Sequence, residues 1–219
     1  TGASRGIGYA TTRQALQAGA RVAMAARTPE RLEAAAGELA GYGEVARLAV
    51  DVADYGDMEA LVALARERFG GVDALVNDAG VAWAGDFADM PPEAIESAVS
   101  VNVGGVLYGT RAVLPHLIAQ GAGTVVNVSS GAGHNGIPGL AAYSATKFAV
   151  NGFTEALAGE LEGTGVAAYG VCPGRVATDM QETVSGRRQG MPPERAAEAI
   201  LSLLGPEPPV PSGRCLDIP

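Results

Sequence analysis

The segment YSATK, Tyr143–Lys147, sets a phenol and an ammonium four residues apart. On a helix that spacing puts both groups on one face. A free phenol titrates near about 10, and a neighbouring ammonium favours its ionised form. Tyr143 is therefore a candidate to exchange a proton with a substrate hydroxyl or carbonyl at neutral pH. Such pairs are common on helices, so the weight comes from their company. Ser129 and Ser130 end the apolar run TVVNVSS, Asn77 closes a second run in LVNDAG, and Asn102 sits in SVNVGG. Polar residues in apolar surroundings need partners.

The stretch TGASRGIG, Thr1–Gly8, spaces Gly2, Gly6 and Gly8 as G-x3-G-x-G. Glycine adopts backbone angles that a Cβ forbids. It also lets the backbone approach a pyrophosphate, which then meets the positive end of the following helix. The next apolar run ends at Ala25-Ala26, before Arg27. A carboxylate at that strand end would bind a ribose 2′-hydroxyl and repel a 2′-phosphate. Alanine stands there, flanked by Arg5 and Arg27, and arginine suits a phosphate dianion. The pattern predicts NADP(H) rather than NAD(H).

These groups need a frame. Apolar periodicity predicts helices over Ile7–Gln17, Pro29–Leu39, 54–69, Pro92–Val101, Val103–Ala119, Tyr143–Leu161 and 193–204. Short apolar runs predict strands over 20–26, 44–50, 72–77, 123–130, 165–171 and 214–218. The alternation implies an α/β fold, a doubly wound parallel sheet of Rossmann type. Its ligand should sit at the carboxyl ends of the strands. No linker divides the chain, so residues 1–219 form one domain, with about 177–192 as a substrate-covering region. The glycine turn has no strand before Thr1. In such a sheet the strand feeding that turn is central, and without it two edges stand unpaired. The expectation is roughly 5–12 further apolar residues ahead of Thr1.

Composition narrows the partners. The chain has 219 residues, 47% hydrophobic and 18% charged, with a net charge of -9. No basic cluster exceeds Arg187-Arg188, which argues against nucleic acid. No apolar run reaches the roughly 18 residues of a membrane span. Cys172 and Cys215 lack zinc spacing, and with His116 and His134 as the two histidines no metal site is expected. Two reduced thiols in a cytoplasmic protein is the expectation.

Together these residues resemble the short-chain dehydrogenase/reductase family over nearly the whole chain. TGASRGIG, with Gly2, Ser4, Arg5, Gly6, Ile7 and Gly8, is similar to its cofactor turn. Asp51-Val52 resembles the pair that contacts the adenine. NDAG, with Asn77, Ala79 and Gly80, resembles N-N-A-G with Asp78 in place of the second Asn. Asn102, Ser130, Tyr143 and Lys147 fall where the family keeps its catalytic tetrad. Cys172-Pro173-Gly174, with Val176 and Thr178, resembles the segment that holds the nicotinamide carboxamide. The resemblance implies that Tyr143 is the general acid in reduction and the base in oxidation. Lys147 would hold the nicotinamide ribose and favour the phenolate, Ser130 would polarise the carbonyl, and Asn102 would position a water.

What the resemblance implies is an NADPH-dependent carbonyl reductase or alcohol dehydrogenase acting on a small molecule. It also implies a homotetramer or homodimer that pairs the helices Val103–Ala119 and Tyr143–Leu161. Three departures stand out: an acceptor-only Asp78 when ionised, few residues between Thr178 and PPERAAEAI, and an end, GRCLDIP, without the frequent glycine-rich terminus. Trp83, His134, Asn135, Met180 and Met191 are candidates to read the substrate, with His134 facing solvent or substrate. Extended relatives that act on nucleotide sugars share Tyr-x3-Lys but are longer. A non-catalytic NADP(H)-binding sensor or interaction protein on the same fold is the other alternative. Such proteins commonly lose the tyrosine or lysine, and both are present.

Overall fold

The computed structural model describes all 219 residues. Six short strands form where β-branched and small apolar residues run together: β1 (Val22–Ala26), β2 (Val45–Ala49), β3 (Ala74–Asn77), β4 (Gly123–Val128), β5 (Val166–Pro173) and β6 (Cys215–Ile218). Every pairing is parallel. Helices cover both faces of the inner strands, so consecutive residues along much of β4 and β5 are both buried. In β4, Val125 packs with Met58, Leu61, Val113 and Leu117, from α3 (Tyr55–Phe69) and α5 (Gly105–Gln120). Val126 packs on the opposite side with Ile200 and Leu203 of α8 (Pro193–Leu204).

Local chemistry sets the helix ends. The Asp54 carboxylate accepts the Asp57 N–H at 3.0 Å to start α3, and Gly70 ends it in the left-handed conformation. Pro29 and Pro193 occupy the first turns of α2 (Pro29–Leu39) and α8.

The strands fall into two ribbons, β1-β2 and β3-β4-β5-β6. The facing edges, β1 and β3, are not bonded to each other. A cavity of about 420 Å³ lies between them, lined among others by Thr1, Ala3, Val22, Ala23, Leu75 and Val76. The glycine turn bridges its upper end. The Thr1 nitrogen donates to the Val76 carbonyl at 2.8 Å, and the Ala3 N–H donates to the Ala25 carbonyl at 3.0 Å.

Two sequence expectations need correction. The helices expected over Pro92–Val101 and Val103–Ala119 are one continuous run. α4 (Pro92–Val99) passes through a π turn, Ser100–Gly104, into α5. Neither a proline nor a positive-φ glycine stands between Val99 and Gly105, so nothing stops the helix. The covering region contains a helix the apolar pattern did not show, α7 (Asp179–Ser185). Thr178 Oγ1 accepts the Gln181 N–H at 3.3 Å, Asp179 and Glu182 lie in its first turn, and Gly186 closes it with φ 68°.

Candidate active site

The glycine turn leads into α1 (Gly6–Gln17). Gly2 and Gly6 have φ of 68° and 58°, where a side chain would be strained. The N-terminus of α1 has no side-chain cap and no acid in its first turn. Apart from the Gly8 N–H, which faces the Asp78 carboxylate, the N–H groups of its first turn and its positive dipole end remain available to an anion. They open on a groove lined by Gly2, Ser4, Arg5, Gly6 and Ile7 from the turn, Arg27 after β1, and Asp51 and Val52 after β2. Ala79 and Gly80 after β3 and Thr178 complete its predicted residues. This donor set fits a dinucleotide pyrophosphate. Gly8 serves differently: a Cβ there would lie 2.6 Å from the Gly2 carbonyl oxygen. It allows the turn to close and does not line the groove.

Arg31 on α2 also lines the groove, and the sequence reading missed it. The available signal was its place one helical turn beyond Arg27. Arg5 pairs with Asp179 at 2.9 Å, whereas Arg27 and Arg31 make no ion pair.

The groove continues into a cavity of about 500 Å³; Ile7, Asp78, Gly80, Thr178 and Met180 line both. Ser130 from the end of β4, and Tyr143 and Lys147 from α6 (Ala141–Glu160), meet at this cavity. Pro173, Gly174 and Val176 face it from the end of β5. Lys147 is buried, and its Nζ donates to the Val128 carbonyl at 2.8 Å and lies 5.5 Å from the Tyr143 ring centroid. Ser130 Oγ accepts the Ala132 N–H at 3.2 Å. That leaves the hydroxyl proton to be directed elsewhere.

Two asparagines do not enter the site by their side chains. Asn102 is fully buried. Its Oδ1 accepts the Val81 N–H at 2.8 Å, and its Nδ2 donates to the Val81 carbonyl and Thr146 Oγ1 at 2.9 and 3.1 Å. It braces the segment after β3 against α6 from within the π turn. Asn77, expected at the cofactor, instead donates to Thr110 Oγ1 and Asn127 Oδ1 at 3.2 and 2.9 Å. It ties β3 to α5 and β4, because alternate residues of a strand point to opposite faces.

Asp78 is the group whose importance the sequence only hinted at. Its Oδ2 would lie 2.8 Å from a Cβ at Gly8, directly beneath the turn. Burial pushes its carboxyl up to about 6, while Lys147 and the Gly8 N–H pull against that rise. A carboxyl group of adjustable charge thus sits between the glycine turn and the Tyr143 cavity.

The outer wall is small and apolar: Ala82, Ala84, Ile137, Leu140 and Met180 contribute. α7 covers it with Gln181, Val184 and Ser185. A bridge between Val176 and Met191 clips the covering segment at its base. Trp83 and Asn135 do not line the cavity. His134 faces solvent rather than the cavity: its side chain is 41% exposed, with Nε2 2.9 Å from Asp217 Oδ1.

No helix is long and apolar enough to cross a membrane. Compared with known proteins, residues 1–189 match the family described as short chain dehydrogenase. The 2-(R)-hydroxypropyl-CoM dehydrogenase of Xanthobacter autotrophicus is 41% identical over 187 residues, 83% of this chain and 75% of that protein. Among solved structures, the 3-ketoacyl-(acyl-carrier-protein) reductase of Brucella melitensis, complexed with NADH, superposes with a TM-score of 0.93 at 30% identity. It covers 99% of this chain and 93% of its own. Levodione reductase superposes with a TM-score of 0.92 at 27% identity, over the same shares of the two chains.

Proposed function

The chain belongs to the short-chain dehydrogenase family, and from that premise we propose an NADP(H)-dependent carbonyl reductase or alcohol dehydrogenase with Tyr143 as general acid and base. It is an oxidoreductase that uses a nicotinamide cofactor on CH–OH or carbonyl groups. The observation that carries the finer reading is the convergence of Tyr143, Lys147 and Ser130 on one cavity continuous with the glycine groove.

When bound, the nicotinamide supplies the hydride in reduction. Tyr143 gives its phenolic proton to the carbonyl oxygen. Ser130, whose Oγ already accepts from Ala132, donates its own proton in a hydrogen bond to the same oxygen. The Lys147 ammonium lies beside the ring and stabilises the phenolate left behind. Asn102 acts by fixing the segment around Val81, not by touching the substrate. In oxidation the same groups run in reverse, with Tyr143 as base.

Arg27 and Arg31, both unpaired at the groove, support preference for the 2′-phosphate of NADP(H). The small apolar wall favours a compact ketone or secondary alcohol. Leu107, Tyr108 and Ile118 on α5 and Phe148 on α6 are exposed apolar residues on the two helices expected to pair in a homotetramer. The free cysteines fit a reducing, cytoplasmic setting. The test is NADPH oxidation against a panel of aldehydes, ketones and diketones. Turnover of at least one class, lost in Tyr143→Phe, supports the enzyme; cofactor binding without turnover of any class favours a sensor.

A further inference from the structure

We propose that His134, Cys172 and Cys215 form a binding site for a thiophilic divalent ion of the zinc class. One ligand atom from each lies within 4.8 Å of the other two. The three come from different segments: the loop after β4, the end of β5, and the start of β6.

Strand register makes the cluster. In the parallel β5–β6 pair, Gly170 stands beside Cys215 and Cys172 beside Asp217. Residues two apart share a face, so both sulfurs and the Asp217 carboxylate lie on one side. Gly170 makes room: a Cβ there would fall 2.3 Å from Cys215 Sγ. Asn151 on α6 ties the set together. Its Oδ1 is 3.3 Å from Cys215 Sγ and 3.7 Å from Cys172 Sγ, and its Nδ2 donates to the Gly133 carbonyl at 3.0 Å. Gly133 packs so closely that a Cβ would lie 2.7 Å from Asn151 Nδ2. The residue after it, His134, is thereby held over the sulfurs. Asp217 Oδ1, 2.9 Å from His134 Nε2, supplies the carboxylate that metal-bound histidines ordinarily have beside them.

The chemistry of the donors selects the ion. Two thiolates and an imidazole suit zinc or a similar soft ion rather than magnesium or calcium. Metal–sulfur bonds of about 2.3 Å and metal–nitrogen bonds of about 2.0–2.1 Å in a tetrahedron bring ligand atoms within about 3.8 Å. Small rotations of the three side chains close that difference. The fourth position belongs to water, with Asp217 kept as the partner of His134 Nε2. The same geometry disfavours a disulfide. Cys172 and Cys215 are one strand spacing (about 4.8 Å) and two residues (about 6.6 Å) apart in the parallel pair, which places their Cα atoms about 8 Å apart. That is at or beyond the limit of about 7 Å for bridging without backbone movement. The side chain of His134 is 41% exposed, which gives an ion a way in. Bound there, the ion would pin the loop that follows Ser130 to the segment before Pro173 and to the last strand. This inference does not depend on the proposed reaction.

The test uses the full chain, reduced, stripped with chelator and titrated anaerobically with Co²⁺ and then Zn²⁺. The expected result is one Co²⁺ per chain, with a thiolate-to-cobalt charge-transfer band and tetrahedral ligand-field bands that Zn²⁺ abolishes. Zn²⁺ should raise the Tm. Cys215→Ser should lower the charge-transfer band by half or more, and His134→Ala should weaken binding at least about 10-fold while remaining folded by circular dichroism. Folded wild-type protein without the band, an unchanged band in Cys215→Ser, or oxidation to a Cys172–Cys215 disulfide in place of cobalt uptake would overturn the proposal.

Discussion

Lys147 holds its Nζ 5.5 Å from the centroid of the Tyr143 ring and 2.8 Å from the Val128 carbonyl. The lysine is buried and anchored at the end of β4. Its charge is therefore placed before substrate arrives, and no reorganisation is needed as negative charge develops on the phenol. Lys147→Met keeps a similar shape and removes the charge. Its kcat should fall by about 10²–10⁴, with weaker NADPH binding in a fluorescence titration. A variant with unchanged kcat would remove Lys147 from the chemistry.

The proposed preference for NADP(H) rests on Arg27 and Arg31, which make no ion pair. Charge-assisted hydrogen bonds contribute about 1.5–3 kcal/mol each. Arg27→Ala or Arg31→Ala should lower kcat/KM for NADPH by about 10–100-fold and leave that for NADH nearly unchanged. Arg5→Ala should have a smaller effect, because Arg5 is engaged with Asp179. Steady-state rates with both cofactors give the ratio, and equal wild-type efficiency with NADH and NADPH would contradict the preference.

Asp78 makes stability depend on pH in a definite direction. Burial raises its carboxyl from 3.8 to about 6. The folded chain therefore holds this proton more tightly than the unfolded chain. Stability falls as pH rises from about 4 to about 6, and above that the penalty is constant. It is on the order of 2–3 kcal/mol. Asp78→Asn removes the charge and retains an oxygen that can accept the Gly8 N–H. It should raise the Tm at pH 7.5, give no gain at pH 4, and bind NADPH more tightly by removing a carboxylate beneath the phosphate turn. An equal change in Tm at both pH values would show that the carboxylate's charge is not the cause.

The exposed apolar residues of α5 and α6 should be covered by copies of the chain. Light scattering should give four chain masses, with two as the next alternative, and Tyr108→Glu should shift the mass downward. A wild-type mass of one chain would reject both assemblies.

Much of this frame was legible before the structure. Tyr143 and Lys147 gained weight from the company of Ser130 and the glycine turn rather than from their spacing, and the sheet was legible in the alternating apolar segments. Side-chain direction was not legible. Asn77 and Asn102 carry the right residue type at the right place, yet strand alternation and the π turn point their amides into protein. The helix α7 was signalled only by its Thr178 cap, since a seven-residue helix shows little periodicity. The His134, Cys172 and Cys215 cluster was invisible because it arises from strand register and a loop contact between distant segments, not from spacing along the chain.

The decisive measurement is single-turnover NADPH oxidation with Tyr143→Phe beside the wild type, using a carbonyl substrate found in the panel. Phenylalanine keeps the ring beside Lys147 and removes the phenolic hydroxyl that carries the transferable proton. The expected result is turnover lowered by at least about 10²-fold, with NADPH affinity within about threefold of wild type. Turnover near the wild-type rate would contradict Tyr143 as the general acid and base.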